Sequence, residues 1–152
     1  MKPSLTDTLD QFNQCFTNHD LDGVMTYFAD DAEYRELGGH VAKGKKAIRR
    51  SFQRAFDGAY GRMEFIGKHM IVDEEKKEAS FVWACQHSFD DSIAPKGINK
   101  LLAKALKLRY GSQTYWDGID YFIFNEDNKI VSKQSYGNTS MPKFIKGRYR
   151  SV

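Results

Sequence analysis

Asp120 stands in the run Ile119-Asp120-Tyr121-Phe122, and in a strand it would share a face with Trp116 and Phe122. A carboxylate in so apolar a strand is either buried and paired or functional. Burial among aromatic rings would favour its neutral, protonated form, a hydrogen-bond donor in place of a charge. The plain structural alternative is a hydrogen bond to neighbouring backbone or to a tyrosine. His87 lies in a second such run and shares a strand face with Phe81, Trp83, Cys85 and Phe89. A histidine in an apolar wall can take or give a proton near neutrality; a satisfied structural histidine is the competing reading. Glu36 closes an acid-rich stretch with Asp30, Asp31 and Glu33, and read alone it is a solvated carboxylate.

Other chemistries find little support. The four histidines (His19, His40, His69, His87) are scattered, and no His-x-x-x-His or carboxylate spacing points to a metal site. Gly38-Gly39-His40 is a loop without the glycine spacing of a dinucleotide site, and no Ser/His/Asp order is recognisable. Cys15 and Cys85 form no Cys-x-x-Cys pair, and both read as buried free thiols.

The elements that must position these residues follow from periodicity. Leu5, Leu9, Phe12 and Phe16 predict a helix over 4–18, and Asp20 can cap a second over 20–29, with Leu21, Val24, Met25 and Phe28 on its face. A short strand at 32–36 precedes a third helix over 45–57, with Ile48, Ser51, Phe52, Ala55 and Phe56 inward. The pattern then turns to period two. Strands are expected at 62–72 and 78–89, then at 112–124 and 129–137, each pair joined by a polar turn. Between the pairs, an insert at about 90–111 carries a helix over 97–108, with Ile98, Leu101, Leu102, Ala105 and Leu106 on one face. Helices segregated from strands argue for an α+β fold, and a curved sheet wrapped by helices leaves a concavity for a ligand.

The chain has 152 residues, 41% hydrophobic and 14% aromatic, enough for the core of one domain. No stretch approaches the ~18 apolar residues of a membrane span, and Met1–Asp7 lacks an apolar signal region, so the chain reads as cytoplasmic with no membrane partner. The net charge of +3 is uneven. Residues 1–93 hold 12 Lys and Arg against 16 Asp and Glu; residues 94–152 hold 11 against 4. The basic tail 138–152, with Lys143-Phe144-Ile145-Lys146-Gly147-Arg148-Tyr149-Arg150, mixes cations and aromatics as nucleic-acid binders do, but eight terminal residues carry little weight and a nucleic-acid partner is not expected.

The segment Asn18-His19-Asp20-Leu21-Asp22-Gly23-Val24-Met25-Thr26-Tyr27-Phe28-Ala29-Asp30-Asp31-Ala32 resembles the nuclear transport factor 2-like superfamily, in its SnoaL-like and ketosteroid isomerase-like branch. Gly44-Lys45-Lys46-Ala47-Ile48-Arg49 is similar to that family's third-helix start, and Ile119–Phe124 followed by Lys129-Ile130-Val131 to its last hairpin. The likeness spans roughly 5–137 outside the insert. It implies a cone-shaped, curved antiparallel sheet wrapped by three N-terminal helices, with a deep apolar pocket and often a homodimer. It implies proton abstraction beside a carbonyl: a carboxylate base, with a tyrosine and a protonated acid donating to the developing enolate oxygen.

Carried over residue by residue, the resemblance puts the base at Glu36 and the neutral acid at Asp120, with His87 as a second acid/base. The family's tyrosines fall on Phe12 and Phe52, so two hydroxyls are missing, and one lost oxyanion donor typically costs ~10²–10³ in rate. Trp83 or His87 could supply a replacement donor. Phe12, Phe52, Trp83, Cys85, Trp116 and Phe122 are expected around the ligand, a small apolar carbonyl compound up to polycyclic in size. No cofactor is needed for such chemistry. Epoxide hydrolases of the superfamily place an arginine two residues before the acidic strand residue, where this chain has Gly118. The alternative to an isomerase or cyclase is a non-catalytic binding or assembly module, which the missing tyrosines favour.

Overall fold

The computed structural model describes residues 2–137. The basic tail and its nucleic-acid reading lie outside them. Helix α1 (Leu5–Thr17) opens on a reciprocal cap: the Asp7 N–H donates to Ser4 Oγ at 3.0 Å and the Ser4 N–H to Asp7 Oδ2 at 3.2 Å. Asp20 caps α2 (Leu21–Thr26) as expected, accepting the Gly23 N–H at 2.8 Å.

That second helix stops short of its expected end at 29. Phe28 is buried as the first residue of strand β1 (Phe28–Arg35), which also begins earlier than expected. Its neighbour explains this: the Ile130 N–H donates to the Tyr27 carbonyl at 2.8 Å, so β-pairing claims the chain before another helical turn can form. Strand β2 (Val41–Lys43) returns antiparallel to β1 and, at three residues, left no readable period in the sequence. Helix α3 (Lys45–Arg54) widens at its end into a π turn over Ala55–Ala59, closed by Gly58 at φ +81°.

Strands β3 (Arg62–Asp73), β4 (Glu78–Ser88), β5 (Gln113–Phe124) and β6 (Ile130–Gly137) fall where period two placed them. The six strands form one sheet in the order β2-β1-β6-β5-β4-β3. It is mixed rather than wholly antiparallel, because β1 and β6 run parallel, Phe28 facing Ile130 and Tyr34 facing Lys133. The chain between them supplies the long crossover that parallel neighbours require. One face of the sheet carries Phe81, Trp83, Phe122 and Ile130 into a core shared with Leu5, Leu9, Phe12 and Phe16 of α1 and with Ile48 and Phe52 of α3.

The inserted helix α4 (Asn99–Tyr110) does not bury the face its sequence offered. Ala103 alone is buried, Leu102 and Leu106 are half-buried, and Ile98, Leu101, Ala105 and Leu108 face outward. The helix is set by its anchor, where the Lys96 N–H donates to the Asp57 carbonyl at 2.8 Å and Pro95 lies against Gly58. No helix of the described residues is long and apolar enough to cross a membrane.

Candidate active site

The concave face of the sheet, α1 and α3 enclose a mainly apolar cavity of about 200 Å³. Every expected site residue but one lines it: Glu36, Asp120 and His87, with Phe12, Phe52, Trp83, Cys85 and Trp116. Phe122 is the exception. It lies in the core, 5.9 Å edge-on from Phe12 and 6.0 Å stacked against Phe124.

Glu36 follows β1 on a tight turn: its N–H donates to the His40 carbonyl at 2.9 Å, and the Gly39 N–H returns to the Glu36 carbonyl at 2.8 Å. Gly39, at φ +84°, makes the turn possible. The carboxylate is one third exposed, at the mouth. Ser51 Oγ of α3 donates to Glu36 Oε1 at 2.5 Å, and His40 Nδ1 stands 3.3 Å from the same oxygen. Both contacts fall on one oxygen, so the carboxylate is oriented at a fixed point of the rim.

Asp120 is buried with a basic neighbour. Lys133 Nζ lies 2.8 Å from its Oδ2, with both side chains about 95% buried (5% and 6% exposed). Ser135 Oγ donates to Asp120 Oδ1 at 2.6 Å, and Lys133 Nζ donates to Ser135 Oγ at 2.6 Å. Lys133 also sits 4.8 Å over the Tyr34 ring. The acid is thus buried and paired, one oxygen to Lys133 and the other to Ser135. Lys133, Ser135 and Tyr34 were missed as site residues. For Lys133 and Ser135 the signal was the register of the last hairpin: Phe122 faces Lys133 and Asp120 faces Ser135, so the four share one face.

His87, 4% exposed, has Nδ1 3.0 Å from the Tyr60 carbonyl. A carbonyl can only accept, so Nδ1 carries the proton. Burial pushes the imidazole below its ordinary pKa, opposed in part by that hydrogen bond. The ring is therefore neutral at pH 7, with the lone pair on Nε2, which is buried without a partner among the described residues. Trp83 Nε1, likewise buried and unpartnered, is a donor only. Both rings line the cavity, and both nitrogens are withdrawn from solvent. Burial pushes the Cys85 thiol up to about 12, which makes it an inert part of the wall. Among the described residues no group of three or more His, Cys, Asp or Glu could hold a metal.

A family model described as the SnoaL-like domain matches residues 9–133. The chain belongs to the SnoaL-like domain family. No curated protein matches it. Among solved structures, a candidate polyketide cyclase from Xanthomonas campestris pv. campestris is similar at 16% identity and TM-score 0.66, over 88% of this chain and 90% of that one. The epoxide hydrolase/cyclase-like enzyme SalBIII, of pyran ring formation in salinomycin, is similar at 14% identity and TM-score 0.65, over 90% and 92%. RV0760c from Mycobacterium tuberculosis, solved with estradiol-17beta-hemisuccinate, is similar at 18% identity and TM-score 0.64, over 95% and 100%. These likenesses establish the nuclear transport factor 2-like fold for this SnoaL-like chain.

In this SnoaL-like chain Gly118 faces Trp83 across β4 and β5. A Cβ there would meet the Tyr136 carbonyl and stand 2.7 Å from Trp83 Cζ2. The indole occupies the space that a side chain at 118 would need.

Proposed function

We propose that this SnoaL-like protein is a cofactor-independent acid/base enzyme that moves a proton beside the carbonyl of a small, largely apolar compound, as an isomerase or cyclase does. The observation that carries this reading is an oriented carboxylate, Glu36, on the same apolar cavity as the Trp83 indole and the Lys133 side chain. Glu36 takes the α-proton. Trp83 Nε1–H and the Lys133 ammonium stabilise the enolate oxygen, in place of the hydroxyls missing at Phe12 and Phe52. Asp120 and Ser135 hold Lys133 in position. His87 Nε2 accepts a hydrogen bond from the ligand or relays a proton. That a protein of this fold holds a steroid ester supports the cavity as a ligand site.

The test follows α-proton exchange of cyclic ketones and enones in D₂O by NMR. Exchange should fall about 10²-fold or more in Glu36→Gln and by ~10²–10³ in Trp83→Phe. Unchanged exchange in Glu36→Gln removes it as the base.

A second reading, ligand binding without turnover, is favoured by the Asp120–Lys133 pair, which leaves no neutral acid at the family position. Ketone binding with no exchange in the wild-type protein would decide for it. In either case the homodimer implied by the resemblance would use the outer face of the sheet, where Val82, Ile119 and Tyr136 are exposed side by side.

A further inference from the structure

Helix α4 turns an uncovered apolar stripe to solvent. Ala103 is its buried contact with the body of the protein. Leu101 and Ala105, two residues either side of it, lie about 200° away around the helix. With Ile98 and Leu108 they form a stripe opposite that anchor, Ile98 81%, Leu101 70% and Leu108 88% exposed. A basic row runs beside it. Lys100, Lys104 and Lys107 follow one another at helical spacing, and Arg109 stands on the other side of the stripe. The three lysines line a recess of about 220 Å³, over a floor of Phe89, Ile93 and Ala103 and with one carboxylate, Asp91. Among the described residues, none of these four cations meets a carboxylate within ion-pair distance. Lys96, at the foot of the helix, stands 3.9 Å from Asp57. From Ser92 to Trp116 the chain carries five Lys and Arg and no Asp or Glu.

We infer that α4 docks this protein on the surface of an anionic lipid bilayer, with Ile98, Leu101 and Leu108 in the acyl boundary and the lysines at the headgroup phosphates. Charge is the first argument. Five cations in a segment without a carboxylate complement an anionic surface, which attracts each of them. Layout is the second. The stripe lies opposite the Ala103 anchor, so the helix can lie in the plane of the interface without leaving the fold. The lysine row lies between the stripe and the body of the protein, the level at which headgroups would stand, and its long alkyl stems let the ammonium groups reach them. Other occupants fit less well. A second copy docked through the same face would set two basic rows against each other. A nucleic acid would answer the lysines but leave Leu101 and Leu108 in water. The contact is peripheral, since no helix of the described residues is long and apolar enough to cross a membrane. It stands independently of the reaction proposed above.

The test is flotation of the full chain with phosphatidylcholine vesicles, with and without about 30% phosphatidylserine. Binding should require the anionic lipid and weaken steeply between about 0.05 and 0.5 M salt. Lys100→Gln, Lys104→Gln and Lys107→Gln together should lower the partition coefficient about 100-fold, at about fivefold per cation. Leu101→Gln with Leu108→Gln should lower it about tenfold or more. Lys76→Gln, at the far end of β4 from the insert, should leave it unchanged. All these residues are exposed, so the circular dichroism of each variant should stay native. Leu108→Trp should add an emission that lipids brominated along their acyl chains quench, which reads the depth of the stripe directly. No binding to anionic vesicles, equal binding to neutral ones, or binding that survives both leucine changes would overturn the proposal. Self-association that is lost with the two leucine changes, without vesicle binding, would give the face to a second copy instead.

Discussion

Lys133 Nζ and Asp120 Oδ2 stand 2.8 Å apart beneath the cavity, both withdrawn from solvent. Two buried charges that satisfy one another are expensive to separate, though not necessarily stabilising as a pair. Removing either partner leaves an uncompensated charge in an apolar wall. Lys133→Met is therefore expected to cost ~3–5 kcal/mol in chemical denaturation, and adding Asp120→Leu should recover much of that loss. Additive costs in the double variant would show that the two residues are not coupled.

Burial holds the His87 imidazole below its ordinary pKa of 6.5, so the folded state resists a proton that the unfolded chain accepts. The stability this confers is fully present above pH ~6.5 and is lost as pH falls through the folded value. The thermal midpoint should hold steady from pH 8 to 7 and decline below ~6.5, with a shallower decline in His87→Gln. An equal slope in both proteins would place the titration elsewhere.

Cys85 is held up to about 12, so at pH 8 only about one thiol in 10⁴ is ionised. Iodoacetamide should label it about 10³-fold more slowly than an ordinary free thiol, and at the ordinary rate once the chain is unfolded. Rapid labelling in the native protein would mean that the wall opens at β4.

Ile119 lies between Val82 and Tyr136 on the outer face of the sheet. If that face joins two copies, Ile119→Glu should convert a dimer to a monomer in sedimentation velocity while leaving the circular dichroism of the chain intact, since the residue is 45% exposed in one copy. A wild-type monomer, or a variant that remains dimeric, would exclude this face.

Strands β3 to β6 were legible because each alternates. Phe81, Trp83, Cys85 and His87 turn inward together, and Asp120 on the next strand inherits the same face by register. The cavity followed from that alternation. What the sequence concealed were partners set by three-dimensional register. Lys133 reads as one more polar residue in Ser132-Lys133-Gln134, and only its position opposite Phe122 turns it toward Asp120. The face of α4 was misread for a related reason: its hydrophobic residues outnumber the surface available to cover them, and the Pro95–Gly58 anchor decides which are used. Helix α2 ended early because β6, a hundred residues away, competes for the same backbone.

Gly118 also limits what this chain can carry at that position. An arginine there, as epoxide hydrolases of the superfamily carry, would collide with the Trp83 indole and the Tyr136 carbonyl at once. Its neighbours would have to move to admit it. The indole would have to shrink first, and β6 to yield at Tyr136, before the new side chain gained anything. Proteins can thus share an architecture and differ in the room it leaves at one position, and here the indole has taken that room.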